Sequence, residues 1–262
     1  MTEATKVVRT EQRGKARWIV LNRPEIRNAL SAELIREMKE ALQSAVDDPS
    51  VRSVVITGEG SAFSAGADLN EMKASRSATF QENVENAMHT SSLFYDITRS
   101  PKPVVGRVHG PARAGAVGII SACDVTIAVH GISFAFTESR LGIAPAMISP
   151  FVIRRMGPAR AQRLFLTGET FSAEDAERFG LIDRLVDADK LDETVEAVCR
   201  DFERCGPQAL GFVKEIVAHV LEDTAEGNRR YTAEMLARMR SGDEGQEGMA
   251  AYLEKRPPHW AR

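Results

Sequence analysis

A chain of 262 residues is long enough for one large domain or two small ones, and either can bury a substantial core. Lys and Arg number 34 against 37 Asp and Glu, so the formal net charge is -3, a balance with no global attraction for nucleic acid or anionic lipid. Cys123, Cys199 and Cys205 lack the spacing of a zinc site or a disulfide framework and read as free thiols, residues 1–18 carry no apolar core of a leader, and no apolar run reaches the roughly 20 residues of a membrane span, so a cytoplasmic address is expected.

In chain order, RWIVLN (Arg17 to Asn22) and VRSVVITG (Val51 to Gly58) are short β-branched runs that read as strands. Between them Leu34, Ile35, Met38, Ala41, Leu42 and Val46 recur at helical spacing, with Ser31 placed as an N-cap and Pro49 closing the segment. PVVGRVHG (Pro103 to Gly110), a Gly/Ala-rich stretch to Ala122, DVTIAV (Asp124 to Val129) and SFAF (Ser133 to Phe136) repeat the alternation. Beyond Pro158 the pattern turns helical around Ala161 to Leu166, Ala173 to Phe179, Leu191 to Phe202, Ala209 to Leu221 and Tyr231 to Met239, with LIDRLV (Leu181 to Val186) as an interrupting strand. The expected architecture is α/β, with a core over residues 1–186 and a helical portion over residues 187–262 that packs with it, there being no long linker between them.

Three segments stand out chemically. Phe63 to Leu69 (FSAGADL) follows a strand with small residues that let backbone approach a ligand. His109 to Gly118 (HGPARAGAVG) again joins a strand, small residues and an apolar helix. Two such loops can aim two N–H groups at one oxygen and stabilise negative charge developing on a carbonyl; an ordinary strand-to-helix loop and close helix packing are the plain alternatives for each. The third segment, Phe134 to Pro145, sets Glu138 between an apolar strand and a Gly/Pro turn, where a raised pKa suits it to general acid–base work, unless it is a surface carboxylate paired with Arg140. His109 reads as a structural histidine at a strand end, Cys123 as a buried small hydrophobe, Asp124 as a cap for nearby backbone, and the stripe Leu210, Val213, Val217 and Leu221 as core or interface.

Taken in order, these segments resemble the enoyl-CoA hydratase/isomerase family, also called the crotonase superfamily. The resemblance begins at Leu21 to Leu30 (LNRPEIRNAL), runs through FSAGADL, the Gly/Ala loop with Ala122-Cys123-Asp124, TESRLG (Thr137 to Gly142) and Leu166 to Glu169, and ends at Glu247-Gly248 and Leu253 to Pro257. It implies a crotonase-like spiral of β-β-α turns with a helical C-terminal oligomerisation region forming trimers or dimers of trimers. It implies an oxyanion hole from the N–H groups of Ala67 and Gly115, with Glu138 as the acid–base residue. Arg27, Ala29, Ala65, Asp68 and Leu69 would lie along coenzyme A, and Tyr252 and Lys255 of a neighbouring copy would complete the site. The partner is then an acyl-CoA substrate; no metal or redox cofactor is implied, coenzyme A being part of the substrate, and neither nucleic acid nor membrane is expected.

This chain departs from the typical pattern at one position. Hydratases of the family usually hold water between two glutamates, and where the first would stand this chain has Gly118. Arg113 also replaces a usual apolar residue. Glycine at that position occurs among 3-methylglutaconyl-CoA hydratases and relatives, which Leu141 to Pro150 (LGIAPAMISP) also resembles. The first expectation is hydration of a 2-enoyl-CoA, or the reverse dehydration, making the protein a hydro-lyase, with Arg113 or Arg140 facing a distal acyl carboxylate unless solvated or structural. A double-bond isomerase using Glu138 as single base is the nearest alternative, and a non-catalytic acyl-CoA-binding paralogue the next.

Overall fold

The computed structural model describes residues 6–261; residues 1–5, which belong to the stretch read for a leader, and residue 262 lie outside the described residues. In chain order the elements are β1 (Val8–Arg13), β2 (Ala16–Leu21), α1 (Ala32–Asp47), β3 (Ser53–Gly58), α2 (Leu69–Ser75), α3 (Phe80–Arg99), β4 (Val104–Val108), β5 (Ala112–Arg113), α4 (Gly115–Ala122), β6 (Val125–Val129), β7 (Ser133–Ala135), α5 (Ser149–Met156), α6 (Pro158–Thr167), β8 (Thr170–Ser172), α7 (Ala173–Phe179) and β9 (Arg184–Val186). Four helices close the chain: α8 (Leu191–Arg204), α9 (Pro207–Glu222), α10 (Ala225–Ser241) and α11 (Asp243–Leu253).

The strands form a six-stranded sheet in the order β1-β2-β3-β4-β6-β9 and a three-stranded sheet in the order β5-β7-β8. β1 and β2 pair antiparallel, and the rest of the large sheet is parallel, as buried crossover connections require. From β4 onward the chain lays one strand in the large sheet and the next in the small one, then returns through a helix: β4-β5-α4 and β6-β7-α5. This is the expected spiral of β-β-α turns, and it brings the loops leaving the large sheet to one side.

The two-residue period of β3 shows why that sheet is buried on both faces. Val54 and Ile56 enter a core with Leu34, Met38, Leu93, Phe94, Val117 and Ile120, while Val55 faces the opposite cluster of Trp18, Val105, Ile127, Leu191 and Val195 beneath α8. α1 forms where its apolar spacing predicts, the Ser31 hydroxyl accepting the Leu34 N–H. The C-terminal helices are tied down by charge placed inside the fold. Lys214 of α9 reaches Asp124 at 2.7 Å, and that carboxylate also accepts the Val104 N–H at 2.7 Å. Arg52 donates to the carbonyls of Phe202 and Cys205 at the end of α8, at 3.3 and 2.6 Å.

Several elements depart from the sequence expectation. β1, α3, α5 and α11 were not anticipated, and α10 is longer than the Tyr231 to Met239 pattern. The strand expected over Leu181 to Val186 shortens to β9, because the N–H groups of Leu181 and Ile182 turn back to the Ala176 carbonyl and their side chains enter the core.

Candidate functional site

The segment Asn22 to Leu30 and the loop Ser64 to Leu69 run side by side. A single parallel bridge pairs Leu30 with Ala67: the Leu30 N–H donates to Gly66 O at 2.7 Å and the Asp68 N–H to Leu30 O at 3.1 Å. A trans peptide points its C=O and N–H in opposite directions, so fixing Gly66 O toward Leu30 turns the Ala67 N–H the other way. Along this stretch Ala65, Ala67 and Leu69 are exposed while Ser64, Gly66 and Asp68 are buried. Gly66 is required here, with φ at +89° and a β-carbon that would fall 2.7 Å from Arg113 O.

The second loop lies against the first. Arg113 N–H donates to Ser64 O at 3.2 Å, and the Ala114 N–H to Ala135 O at 2.9 Å. Ala114 adopts φ 50°, ψ -122°, a conformation outside the allowed regions for a residue with a β-carbon, immediately before α4. Its carbonyl is held by the N–H groups of Val117 and Gly118, which sets the peptide carrying the Gly115 N–H. Among the described residues neither the Ala67 nor the Gly115 N–H has an acceptor. Both residues touch Leu30: Ala67 through the bridge, and Gly115 because a β-carbon there would lie 3.1 Å from Leu30 Cδ1.

Glu138 follows β7, three residues past the Ala135 carbonyl that binds Ala114, at the start of a short 3-10 turn closed by Gly142. Its Oε2 is buried and has no hydrogen-bond partner among the described residues. Burial pushes its carboxyl above the usual glutamate range, a smaller backbone hydrogen bond opposing that. Among the described residues it makes no ion pair with Arg140, whose Nε lies 3.1 Å from where a β-carbon on Gly168 would sit. At Gly118 the volume a side chain would use is filled: a β-carbon would lie 3.0 Å from Ile148 Cβ and 3.2 Å from Phe94 Cζ.

The remaining expected residues divide. Arg27 is exposed, in the left-handed region at φ 53°, and its carbonyl accepts the Ala65 N–H at 2.8 Å. Ala29 is buried beside it and Leu69 is exposed. The Asp68 carboxylate is buried, capping α2 through Asn70 and pairing with Arg23 at 3.0 Å. The Arg113 guanidinium donates to Ser133 O and, at 2.8 Å, to Ser133 Oγ, which ties β5 to β7. Tyr252 and Lys255 lie at the end of α11 and in the turn after it, and no hydrogen bond or ion pair among the described residues joins them to the three segments.

The sequence reading missed four supporting residues. Asn28, fully buried at φ 54°, donates its amide to the carbonyls of Glu59, Ala62 and Phe63 and accepts the Arg23 N–H. Arg23, Leu30 and Ile148 complete the set, the first two lying inside the LNRPEIRNAL segment that carried the resemblance. His109 is bonded to Gly60 O at 3.1 Å, and burial lowers its pKa. Cys123 and Cys199 are buried and Cys205 exposed, all as free thiols, with burial pushing Cys123 up to about 12. No group of three or more His, Cys, Asp or Glu among the described residues is placed to hold a metal ion, and none of their helices is long and apolar enough to cross a membrane.

The family model for enoyl-CoA hydratase/isomerase matches residues 12–262. A solved structure of an enoyl-CoA hydratase from Shewanella pealeana superposes with a TM-score of 0.93 at 32% identity, covering 97% of this chain and 96% of its own. An enoyl-CoA hydratase/isomerase from Marinobacter aquaeolei superposes with a TM-score of 0.93 at 28% identity over 98% of this chain and 100% of its own. A Danio rerio protein called enoyl-CoA hydratase domain-containing protein 3, mitochondrial, is 28% identical over 260 residues, spanning 99% of this chain and 89% of its own.

Proposed function

The chain belongs to the enoyl-CoA hydratase/isomerase family and is an enzyme of it; from this we propose that it adds water to a 2-enoyl-CoA thioester, or removes it in reverse. The observation that carries the reading is the Oε2 of Glu138, buried and without a hydrogen-bond partner among the described residues, on a carboxyl whose pKa burial raises. In the forward direction Glu138 takes a proton from water as the oxygen bonds to the β-carbon. The displaced electron pair moves to the thioester oxygen, where the Ala67 and Gly115 N–H groups receive it. Glu138 then returns the proton to the α-carbon, so one carboxyl serves both transfers. No metal or redox group enters this chemistry, because the two donors already polarise the carbonyl.

The backbone at Ala65, Asp68 and Leu69, the last opening α2, runs alongside coenzyme A in this reading, flanked by Ala29, with the exposed Arg27 guanidinium near its phosphates. With Arg113 tied to Ser133, the partner for a distal carboxylate on a branched, 3-methylglutaconyl-like acyl group is Arg140. The division at residue 186 and a cytoplasmic homo-oligomer, a trimer or dimer of trimers, belong to the same proposal. Tyr252 and Leu253, 84% and 79% exposed, are large groups that a neighbouring copy covers, with Tyr252 and Lys255 reaching that copy's coenzyme A.

A second reading, double-bond isomerisation, is favoured by the closure of the Gly118 position by Ile148 and Phe94, since a single base suffices to take a proton from one carbon and return it to another. The discriminating experiment follows loss of conjugated-thioester absorbance with crotonyl-CoA and 3-methylglutaconyl-CoA, using wild type and Glu138→Gln, with products weighed by mass spectrometry. A gain of one water that Glu138→Gln abolishes supports hydration, and the preferred substrate tests the branched acyl group. Binding without hydration on either substrate favours the isomerase.

A further inference from the structure

The Leu30–Ala67 bridge is isolated, and on its N-terminal side the two segments are joined by the Ala65 N–H on Arg27 O and the Ser64 hydroxyl on Asn28 O. Its orientation decides where the Ala67 N–H points, because that N–H shares a rigid peptide with the Gly66 carbonyl bound by Leu30. One guanidinium nitrogen spans the bridge. Arg23 Nη1 donates to Ala29 O at 3.1 Å, the residue before Leu30 on one side, and to Asp68 Oδ2 at 3.0 Å, the residue after Ala67 on the other.

We propose that Arg23 is a positioning residue for the Ala67 N–H, an inference resting on the proposed use of that N–H at a thioester oxygen. The pair is sheltered, with side-chain exposures of 20% for Arg23 and 6% for Asp68, so water competes little for it. Arg23 is itself anchored, since its N–H donates to the Asn28 Oδ1 at 2.9 Å and the Asn28 amide is bound to the end of β3 and the loop after it. The Asp68 Oδ1 accepts the Asn70 N–H at 2.8 Å, so the carboxylate is gripped at both oxygens. The chain Asn28, Arg23, Asp68 therefore transmits the rigidity of the β3 exit to one peptide plane.

The test uses acetoacetyl-CoA, a 3-oxo thioester whose enolate absorbs in the near ultraviolet, with wild type, Arg23→Lys and Asp68→Asn. Arg23→Lys keeps the charge and loses the planar guanidinium, while Asp68→Asn keeps the Oδ1 cap on α2 and turns a donor toward Arg23. The enolised fraction of bound ligand reads carbonyl-oxygen stabilisation directly, the titration midpoint reads affinity, and kcat and KM with crotonyl-CoA are measured alongside. The enolised fraction and kcat are expected to fall about tenfold to a hundredfold in both variants, with Kd and KM moving less than about threefold. Should one variant melt below the assay temperature, the other carries the same readout. Enolisation and kcat close to wild type, or losses matched by an equal rise in Kd, overturn the role of Arg23 alone. A wild type that binds acetoacetyl-CoA and forms no enolate overturns the donor reading and Arg23's role together.

Discussion

The Ile148 side chain occupies the space that a side chain on Gly118 would need, with Ile148 Cβ 3.0 Å from where the β-carbon of residue 118 would sit and Phe94 Cζ 3.2 Å from it. Gly118 and Ile148 are both buried, so neither neighbour can swing into solvent to relieve the contact. Gly118→Ala is expected to destabilise the protein by about 1–3 kcal/mol through overpacking, and Ile148→Ala in the same chain to recover part of that loss. Thermal unfolding of the single and double variants measures this.

Glu138→Gln keeps size and hydrogen-bonding capacity but cannot move a proton. Turnover on crotonyl-CoA is expected to fall about 10²- to 10⁴-fold, with binding of the thioester retained. Because burial raises the Glu138 pKa, ionising it in the folded protein opposes folding; that penalty is absent in acid and sets in as pH rises through the folded value. Glu138→Gln is therefore expected to melt no lower than wild type at neutral pH, which differential calorimetry checks.

The same raised pKa places the acid limb of the rate profile. Glu138 must be ionised to accept a proton from water, so kcat/KM is expected to rise with pH through an apparent pKa above the ordinary glutamate value of 4.5. A profile measured with crotonyl-CoA whose acid limb lies at or below that value would count against the assignment.

Ala114 sits at φ 50°, ψ -122°, where a β-carbon costs about 1–3 kcal/mol. Ala114→Gly removes that strain and adds about 0.5–1 kcal/mol of chain entropy lost on folding, leaving a net gain near 1 kcal/mol. The variant is expected to melt higher and turn over more slowly, the peptide before Gly115 being freer to rotate.

Lys214→Met leaves the Asp124 carboxylate inside the fold with only the Val104 N–H as partner. A loss of about 2 kcal/mol is expected, below the full cost of an unpaired buried charge because Asp124 keeps some solvent contact. Urea unfolding should show it, with Asp124→Asn in the same chain restoring part.

The candidate site was legible where it rests on short stretches of chain. Small residues at Ala65 to Ala67 and Ala114 to Gly115 announce close backbone approach, and an isolated glutamate after an apolar strand announces acid–base work. What escaped lies between segments. Arg23 meets Asp68 across 45 positions, and Ile148 meets Gly118 across 30, so neither contact leaves a local pattern. α3 escaped for a different reason: Phe80, Val84 and Met88 are exposed and only Leu93, Phe94 and Ile97 are buried, so its apolar residues mark no continuous face even though Thr79 and Glu82 form a capping box. β1 is polar at every position but Val8 because it edges the sheet.

Leu30 lies against both Ala67 and Gly115, whose N–H groups have no acceptor among the described residues, meeting the first through its backbone and the second through its side chain. A substitution at residue 30 therefore alters a contact to both loops at once, whereas Arg23 meets the first loop and Ala114 belongs to the second.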